Sequence, residues 1–349
     1  MFEMAKQLTV AVVGATGAVG TTMMEQLAKR KFPVGKLKLL ASKRSAGNEL
    51  EFAGQTYTIE EATPEAFKGV DVALFSAGGS VSLALAPEAA KRGAVVIDNT
   101  SAYRMDPEVP LVVPEVNRAD IQKHKGIIAN PNCSTIQMVA AIEPIRQSFG
   151  LKNVIVSTYQ AVSGSGVAAI DELRDQSIAW EQGKNVEANV LPVKSDKKHF
   201  PIARNVLPQI DVFTENGFTY EEMKMINETK KILHMADLPV AATCVRVPVV
   251  SGHSESLYIE VEQAGVTVEQ LREVLAKAPG IVVQDDITNQ QYPMPLFAEG
   301  ENEVFVGRIR KDLSNDRGFH LWVVADNLLK GAALNSIQIA ETMVEDGLL

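Results

Sequence analysis

The chain has 349 residues, of which 46% are hydrophobic and 22% are charged, and its formal net charge is −9. This length predicts two domains, and the negative charge argues against nucleic acid and acidic membranes as partners, because phosphate groups are bound by basic surfaces. No apolar stretch approaches the roughly 18 residues of a membrane helix, and no secretory signal is visible. Two cysteines are too few for a disulfide framework or a thiolate zinc site, so we expect a cytoplasmic protein without a metal site.

The first third of the chain alternates short apolar strands with helical stretches. The predicted elements are a strand over Leu8–Val13, a helix over Thr21–Arg30, strands over Lys36–Leu40 and Asp71–Phe75, a helix over Leu83–Arg92 and a strand over Ala94–Ile97. Such alternation predicts a parallel sheet with helices on both faces, which is the doubly wound, Rossmann-like α/β class.

A glycine-rich loop follows the first strand and leads into the first predicted helix. Residues 14 to 20 read G-A-T-G-A-V-G. Glycines allow a tight turn and let a pyrophosphate approach the amide groups of a helix N-terminus. The spacing is GxxGxxG instead of GxGxxG, so the pattern by itself also fits a strand–helix turn that binds nothing. Its position predicts a dinucleotide site, to which we assign Gly14, Thr16, Gly17, Ala18 and Val19.

The segment after the second strand predicts which dinucleotide binds. A protein that prefers NAD usually has Asp or Glu about 20 residues after the glycines, where the carboxylate binds the ribose 2′-hydroxyl. Here the chain has Ser42, Lys43, Arg44 and Ser45 instead. Because an arginine and hydroxyls can bind a 2′-phosphate that a carboxylate would repel, Arg44 and Ser45 favour NADP. The alternative is that these residues form a solvated loop.

The pattern changes near Asn153–Tyr159, where apolar and polar residues begin to alternate with period two. This alternation predicts a second, α+β domain with a mainly antiparallel sheet. The polar segment Glu181–His199 is predicted to be a long loop or excursion. Apolar residues at helical spacing predict a last helix over Asp326–Glu345.

Cys133 stands in the run N-P-N-C-S-T, at the start of a stretch with the periodicity of a buried helix. Asn132 is a good helix cap, and the unpaired amides and dipole of a helix N-terminus favour a thiolate. Most cysteines are buried small hydrophobes, and we interpret Cys244 in that way. A nucleophilic thiol needs a proton acceptor, and His253 follows a strand that breaks at Ser251–Gly252. The sequence alone does not show that the two side chains meet.

Seven motifs in order resemble the aspartate-β-semialdehyde dehydrogenase family, from about residue 8 to the last helix. They are G-A-T-G-A-V-G, A-S-K-R-S-A-G, D-N-T-S-A-Y-R, N-P-N-C-S-T, Y-Q-A-V-S-G-S-G, E-E-M-K and R-V-P-V-V-S-G-H-S-E. The resemblance implies an NADP-binding domain over 1–131 and 326–349, to which the last helix returns, and a catalytic and dimerisation domain over 132–325. It also implies a homodimer or a dimer of dimers.

The family's reaction is the reversible, NADPH-dependent conversion of β-aspartyl phosphate to aspartate semialdehyde and phosphate. It belongs to the biosynthesis of lysine, threonine, methionine and isoleucine. The resemblance implies that Cys133 forms a thioester with the acyl group and that His253 is the general acid/base. Gln160 resembles the side chain that hydrogen-bonds the substrate near the nucleophile.

The resemblance also implies which residues bind the substrate and the cofactor. Arg104 and Lys224 match the phosphate-binding pair, and Arg246 matches the arginine that binds the substrate α-carboxylate in a bidentate fork. Glu221, three residues before Lys224, resembles the ligand of the substrate amino group, although the adjacent Glu222 leaves open which glutamate acts. The remaining cofactor contacts implied are Ser163, Gly164 and Asn327. Without the resemblance, Arg104 and Arg246 would fit structural ion pairs better than a substrate site. Glu221 and Lys224 would fit an exposed helical pair, and Asn327 a helix cap.

Four alternatives fit part of this pattern. Glyceraldehyde-phosphate dehydrogenases share the chemistry, but they usually carry an acidic residue after the second strand, which is missing here. N-acyl-glutamyl-phosphate reductases share the thioester chemistry, but their cysteine motif typically reads H-P-G-C-Y-P-T. A short-chain-type epimerase needs a Tyr-x-x-x-Lys pair, and Tyr220 with Lys224 lies far beyond the nucleotide domain. A non-catalytic NADP-binding relative should have lost Cys133 or His253, and both are present.

Overall fold

The computed structural model describes residues 6–349. The chain forms two compact units, one of residues 6–132 with Ala332–Leu349 and the other of Cys133–Gly331. The strands are β1 (Leu8–Val13), β2 (Val34–Ala41), β3 (Glu49–Phe52), β4 (Gln55–Thr58), β5 (Glu60–Glu61), β6 (Val72–Phe75), β7 (Val95–Asp98), β8 (Ile127–Ala129), β9 (Asn153–Gln160), β10 (Val240–Arg246), β11 (His253–Glu260), β12 (Ile281–Val283), β13 (Val304–Lys311) and β14 (Gly318–Ala325). The α-helices are α1 (Ala18–Lys29), α2 (Gly79–Lys91), α3 (Pro114–Asn117), α4 (Cys133–Phe149), α5 (Val167–Glu181), α6 (Tyr220–Ile232), α7 (Val268–Ala276), α8 (Pro295–Ala298) and α9 (Leu334–Glu345).

The first unit is built on a parallel sheet in the order β5-β2-β1-β6-β7-β8, with every pairing parallel. The strand order reverses at β1, so the loop after β1 lies at the topological switch point, where α/β sheets bind ligands. The prediction of a doubly wound, Rossmann-like sheet is therefore confirmed.

Alternate residues of β1 bury their side chains in two different cores. Val10 and Val12 pack with Met23 of α1 and Ile337 of α9, whereas Ala11 and its face pack against α2. Helices thus cover both faces of the sheet, as the near-continuous apolar run of β1 requires for a strand buried on both sides.

The last helix begins later than the sequence pattern predicts. The carboxylate of Asp326 accepts the backbone N–H groups of Leu328 (2.8 Å) and Leu329 (3.1 Å), which holds a turn at this point. A π-helical turn over Leu329–Ala333 follows, and α9 starts only at Leu334. The apolar spacing that predicted one helix from Asp326 thus covers the Asp326 turn, the π-helical turn and α9. The helix does not begin at Asp326 because this side chain binds the N–H groups of the residues that follow it.

The second unit contains a six-stranded sheet in the order β10-β9-β11-β14-β13-β12. Three of its pairings are antiparallel, and the two at the edges, β10 with β9 and β12 with β13, are parallel. The prediction of an α+β domain with a mainly antiparallel sheet is confirmed. Along β9 the buried positions alternate with more exposed ones, so one face is covered and the other is open.

The polar excursion after α5 is held in place by two side chains of that helix. One carboxylate oxygen of Glu172 accepts the N–H groups of Asn189 (2.5 Å) and Val190 (3.0 Å), and the other accepts that of Leu191 (3.2 Å). Gln176 accepts the N–H groups at 202 and 203 through Oε1. These hydrogen bonds give the segment a defined path, although it has no regular secondary structure. Among residues 6–349, no helix is long and apolar enough to cross a membrane.

Candidate active site

Two of the three glycines in the glycine loop of the first unit, Gly14 and Gly20, are required by close contacts. Gly14 has φ +87°, and a Cβ there would lie 3.0 Å from the carbonyl carbon of Ser76. A Cβ on Gly20 would overlap the carbonyl oxygen of Gly14, so this glycine lets α1 approach the loop. Gly17 precedes the first turn of α1 and offers no side chain that could cap it. The loop is thus shaped so that a ligand can reach the amides of the helix N-terminus.

A cavity of about 590 Å³ opens beside this loop at the ends of β1, β2 and β6. Its lining includes Gly14, Thr16 and Gly17, together with Ser42 and Lys43 after β2. These amides, hydroxyls and the ammonium fit the pyrophosphate and the 2′-phosphate of a dinucleotide.

The other predicted cofactor residues of the first unit stand next to this lining. Ala18 and Val19 are the first two residues of α1. Arg44 and Ser45 lie in the adjoining turn, where the N–H of Ser45 donates to the carbonyl of Ser42 (2.8 Å). Lys43, rather than Arg44, therefore faces the cavity directly in this structure.

Arg104 also belongs to the first unit and is buried. Its Nε donates to the carbonyl of Asn130 (3.0 Å) and its Nη2 to the carbonyl of Asn99 (2.8 Å). The amide of Asn130 donates to Oδ1 of Asn99 (2.7 Å) and accepts from Asn335 of α9 (2.7 Å). This amide chain fixes the two carbonyls that orient the guanidinium.

In the second unit, Cys133 is the first residue of α4 and is half-buried. Gly331 packs against it so closely that a Cβ at 331 would lie 2.8 Å from the Cβ of Cys133. The position at the start of the helix agrees with the sequence expectation, and it places the sulfur where the helix dipole favours a thiolate.

His253 begins β11 and is fully buried. Its Nδ1 accepts the backbone N–H of Ala161 (3.0 Å), and within residues 6–349 its Nε2 has no hydrogen-bond partner. Burial, reinforced by the positive charge of Arg246, lowers the pKa of His253 from 6.5 to about 3. The ring is therefore neutral near pH 7 and, because Nδ1 is an acceptor, carries its proton on Nε2.

Arg246 ends β10 and lies beside the same point as His253. A Cβ on Gly164 would lie 3.1 Å from Nη1 of Arg246 and 3.4 Å from Nε2 of His253. Nη1 donates to the carbonyl of Ala161 (2.7 Å), and Nη2 donates to Oγ of Ser165 (2.9 Å). Burial lowers the pKa of Arg246, while the negative charges of Glu221 and of the Cys133 thiolate oppose this effect.

Gln160, Glu221 and Lys224 form one hydrogen-bonded chain. Nε2 of Gln160 donates to Oε1 of Glu221 (3.0 Å), and Nζ of Lys224 donates to Oε2 of Glu221 (3.2 Å). Nζ of Lys224 also donates to Oδ2 of Asp211 (2.8 Å), a carboxylate that no sequence motif singles out.

The structure separates the roles of the two adjacent glutamates at the start of α6. Glu222 accepts the N–H of Thr219 (2.7 Å) in a capping box and the N–H of Cys244 (3.0 Å), so both its oxygens have backbone partners. Glu221 instead binds Gln160 and Lys224. Between the two, only Glu221 belongs to the cluster of predicted site residues.

The remaining predicted cofactor residues of the second unit also meet. Nδ2 of Asn327 donates to Oγ of Ser163 (3.0 Å), and its Oδ1 accepts the N–H of Gly252 (3.0 Å). Gly164 follows Ser163 and is the residue that faces Arg246 and His253. Among the described residues, no group of three or more His, Cys, Asp or Glu side chains is placed to hold a metal ion.

Comparison with known proteins identifies the family. Residues 9–124 match the family "Semialdehyde dehydrogenase, NAD binding domain", and residues 142–330 match "Semialdehyde dehydrogenase, dimerisation domain". The aspartate-semialdehyde dehydrogenase of Bacillus subtilis is 64% identical over 97% of this chain and 98% of its own. The chain belongs to the aspartate-semialdehyde dehydrogenase family. A relative of the same name from Aquifex aeolicus is 56% identical over 97% of this chain and 99% of its own.

Solved structures of the family share the fold. The Vibrio cholerae aspartate semialdehyde dehydrogenase II, complexed with ASA, has a TM-score of 0.93 at 46% identity and covers 98% of this chain and 99% of its own. The Candida albicans aspartate semialdehyde dehydrogenase, solved with NADP, has a TM-score of 0.75 at 25% identity and covers 99% of this chain and 100% of its own. The resemblance seen in the sequence motifs is thus confirmed, and the rival reductase and epimerase activities are not favoured.

Proposed function

We propose that this protein interconverts β-aspartyl phosphate and aspartate β-semialdehyde plus phosphate, with NADP as the cofactor, in amino-acid biosynthesis. The observation that carries the proposal is the convergence of buried Arg246 and buried His253 on one point beside Gly164, with the Cys133 thiolate close enough to act on the Arg246 charge. The identity of 64% to an aspartate-semialdehyde dehydrogenase supports the choice of substrate.

The cofactor would be held by the glycine loop and the N-terminus of α1, with Ser42, Lys43 and the adjoining Arg44 and Ser45 near its 2′-phosphate. Ser163, Gly164 and Asn327 are proposed as further contacts. When bound, NADPH supplies a hydride to the acyl carbon of the thioester.

Cys133 is the proposed nucleophile. In the reductive direction its thiolate attacks the acyl carbon of β-aspartyl phosphate. The S–C bond forms, the C–O bond to the phosphate group breaks, and inorganic phosphate leaves with the bonding electron pair. After the acyl carbon is reduced, the resulting alkoxide collapses to the aldehyde and expels the Cys133 thiolate.

His253 is proposed to act first as a neutral hydrogen-bond donor. Because Nδ1 accepts from Ala161, the proton on Nε2 can point at the oxygen anion that develops on the acyl carbon during both steps. A pKa of about 3 makes the imidazolium rare near pH 7, so the donor is the neutral ring. The broader prediction that His253 is a general acid/base stays a prediction.

The substrate is proposed to be held by charges of opposite sign. The Arg246 guanidinium would bind the α-carboxylate, Glu221 the amino group, and Gln160 the acyl portion near Cys133. Lys224 and Arg104 would bind the phosphate group. The link of Gln160 to Lys224 through Glu221 would keep the substrate ligands in a fixed arrangement.

The direct test measures NADP reduction with aspartate semialdehyde plus phosphate. Wild-type protein and Cys244→Ala should turn over, and Cys133→Ala should not, while NADP binding to Cys133→Ala stays intact. Turnover of N-acetyl-glutamate semialdehyde in place of aspartate semialdehyde would favour the rival reductase. Loss of folding in Cys133→Ala would make the thiol structural.

We further propose that the protein is a homodimer in the cytoplasm, formed through the open face of the second sheet. Ile155 on this face is 45% exposed, and the ring of Tyr159 packs 5.4 Å from that of Trp322. Such a contiguous apolar surface is typical of a subunit interface. Ile155→Lys should give a monomer in light scattering, and Ile287→Lys, at another exposed isoleucine, should not. Cell fractionation tests the location.

A further inference from the structure

Glu255 is a carboxyl group without a role in the chemistry described above. It lies on β11 two residues after His253, so both side chains point to the same, covered face of the sheet. Glu255 is fully buried, and across the sheet it faces Thr158 and Val323. Among the described residues, neither of its carboxyl oxygens has a hydrogen-bond partner.

Gln137 is the polar neighbour of Glu255 and lies on the helix of the nucleophile. It follows Cys133 by four residues on α4, so the two share one face of that helix. Its Nε2 donates to the backbone carbonyl of His253 (3.3 Å), while its buried Oε1 has no partner within residues 6–349. The amide thus joins the helix that carries Cys133 to the strand that carries His253.

The two unpaired groups complement each other if Glu255 is a carboxylic acid. Burial raises the pKa of Glu255 well above its ordinary value, and the nearby Gln137 amide opposes this effect only in part. A protonated carboxyl has an O–H to donate, and Oε1 of Gln137 is a free acceptor. The terminal torsions of Glu and Gln are soft, so a small rotation can align them. An ionised Glu255 would instead attract Nε2 of Gln137 and compete with the His253 carbonyl.

We propose that Glu255 and Gln137 form a positioning pair. The neutral Glu255 carboxyl donates its proton to Oε1 of Gln137, which keeps Nε2 of Gln137 on the carbonyl of His253. This bond fixes the start of β11, and with it the imidazole of His253, relative to the first turns of α4. The role deepens the proposed function and rests on it, since the geometry that it sets is that of nucleophile and hydrogen-bond donor.

The test compares variants of similar shape that differ in polarity. Glu255→Gln keeps a donor for Oε1 of Gln137, whereas Glu255→Met and Gln137→Met remove the bond. We expect kcat for aspartate semialdehyde within about twofold of wild type in Glu255→Gln. In each Met variant we expect it lower by at least about tenfold, with KM changed less than about threefold. In the double Met variant the loss should equal that of one single variant, because the residues act as a unit.

The urea midpoint separates positioning from a purely structural role. Replacing both partners of a buried hydrogen bond by apolar groups of similar shape is nearly neutral, so the double Met variant should keep the wild-type midpoint while its kcat falls. The proposal is overturned if kcat follows the midpoint, if Glu255→Met keeps wild-type kcat, or if the two Met effects multiply. If Glu255→Met fails to fold, the kcat of Gln137→Met is compared with that of Glu255→Gln. Equal kcat values in these two variants overturn the proposal.

A measurement independent of turnover keeps this proposal apart from the proposed function. The backbone N–H of Ala161 reports on the His253 ring, because it donates to Nδ1. Its hydrogen exchange, followed in a peptide that contains Ala161, should speed up at least about fivefold in Glu255→Met and stay unchanged in Glu255→Gln. Equal rates of Ala161 amide exchange in the two variants overturn the proposal of a positioning pair. A wild-type protein that does not oxidise aspartate semialdehyde overturns the proposed function instead.

Discussion

The buried imidazole of His253 should make the protein less stable in mild acid. Its pKa falls from 6.5 to about 3 on folding, because the ring is buried beside Arg246. Between these values the unfolded chain binds a proton that the folded chain does not. A histidine with a lowered pKa therefore costs stability as the pH falls below 6.5, and the cost grows until the pH reaches about 3.

The size of the effect follows from the two pKa values. At pH 8 both states are neutral at this ring, and the contribution is close to zero. At pH 5 the pH lies below the unfolded-state pKa of 6.5, and each pH unit of this difference costs about 1.36 kcal/mol. The free energy of unfolding is therefore lower by about 2 kcal/mol from this residue alone. In His253→Asn this contribution disappears, although the variant can be less stable at every pH.

Urea unfolding at pH 8 and pH 5 measures the difference. Wild type should lose about 2 kcal/mol more than His253→Asn between the two values. His234→Asn is the matched control, because His234 is exposed and has φ 54°, a left-handed conformation that asparagine accepts. Its loss of stability between pH 8 and pH 5 shows the effect of replacing an exposed histidine. Equal pH dependence of wild type and His253→Asn would refute the assignment of a neutral, buried ring.

Three further outcomes test other parts of the structure. Gly331→Ala should lower the free energy of unfolding by about 1–3 kcal/mol and slow turnover, because the new Cβ would lie 2.8 Å from that of Cys133. An unchanged free energy of unfolding together with an unchanged kcat would contradict this packing. Arg246→Lys should raise KM for aspartate semialdehyde at least about tenfold with NADP affinity unchanged, since one ammonium cannot form a bidentate fork; equal loss of both affinities would exclude the assignment. Glu172→Gln should accelerate proteolysis within 182–199, because one oxygen acceptor for the backbone is lost, while Glu181→Gln should not.

The first unit was predictable because its signals are local. Apolar runs such as β1 are buried on both faces, and Gly20 is required by its contact with Gly14 in the same loop, although Gly14 itself packs against Ser76. The hairpin of β3 and β4 was not predicted. Its strands, E-L-E-F and Q-T-Y-T, alternate over only four residues each and are largely exposed, so the period-two pattern is too short to stand out.

The partners of the site residues could not be predicted in the same way. Asp211 reaches Lys224 from a segment without regular structure, and Gln137 meets Glu255 across the distance between a helix and a strand. Glu255 ends the motif R-V-P-V-V-S-G-H-S-E and Gln137 follows N-P-N-C-S-T, but neither motif indicates that the two side chains are neighbours. Only the folded arrangement shows which buried polar atoms face one another.

The motif E-E-M-K does not by itself predict which of its two glutamates belongs to the site. It offers two glutamates at the start of one helix, and both are acidic residues in the first turn, where either would be favourable. The capping box uses Glu222 because it lies three residues after Thr219. Its carboxylate accepts the N–H of Thr219, and its own backbone N–H donates to the Thr219 hydroxyl. Glu221 takes no part in this capping box, and its carboxylate accepts from Gln160 and Lys224. The choice between the two is thus made by where the helix begins, because the capping box uses only the third residue after its cap.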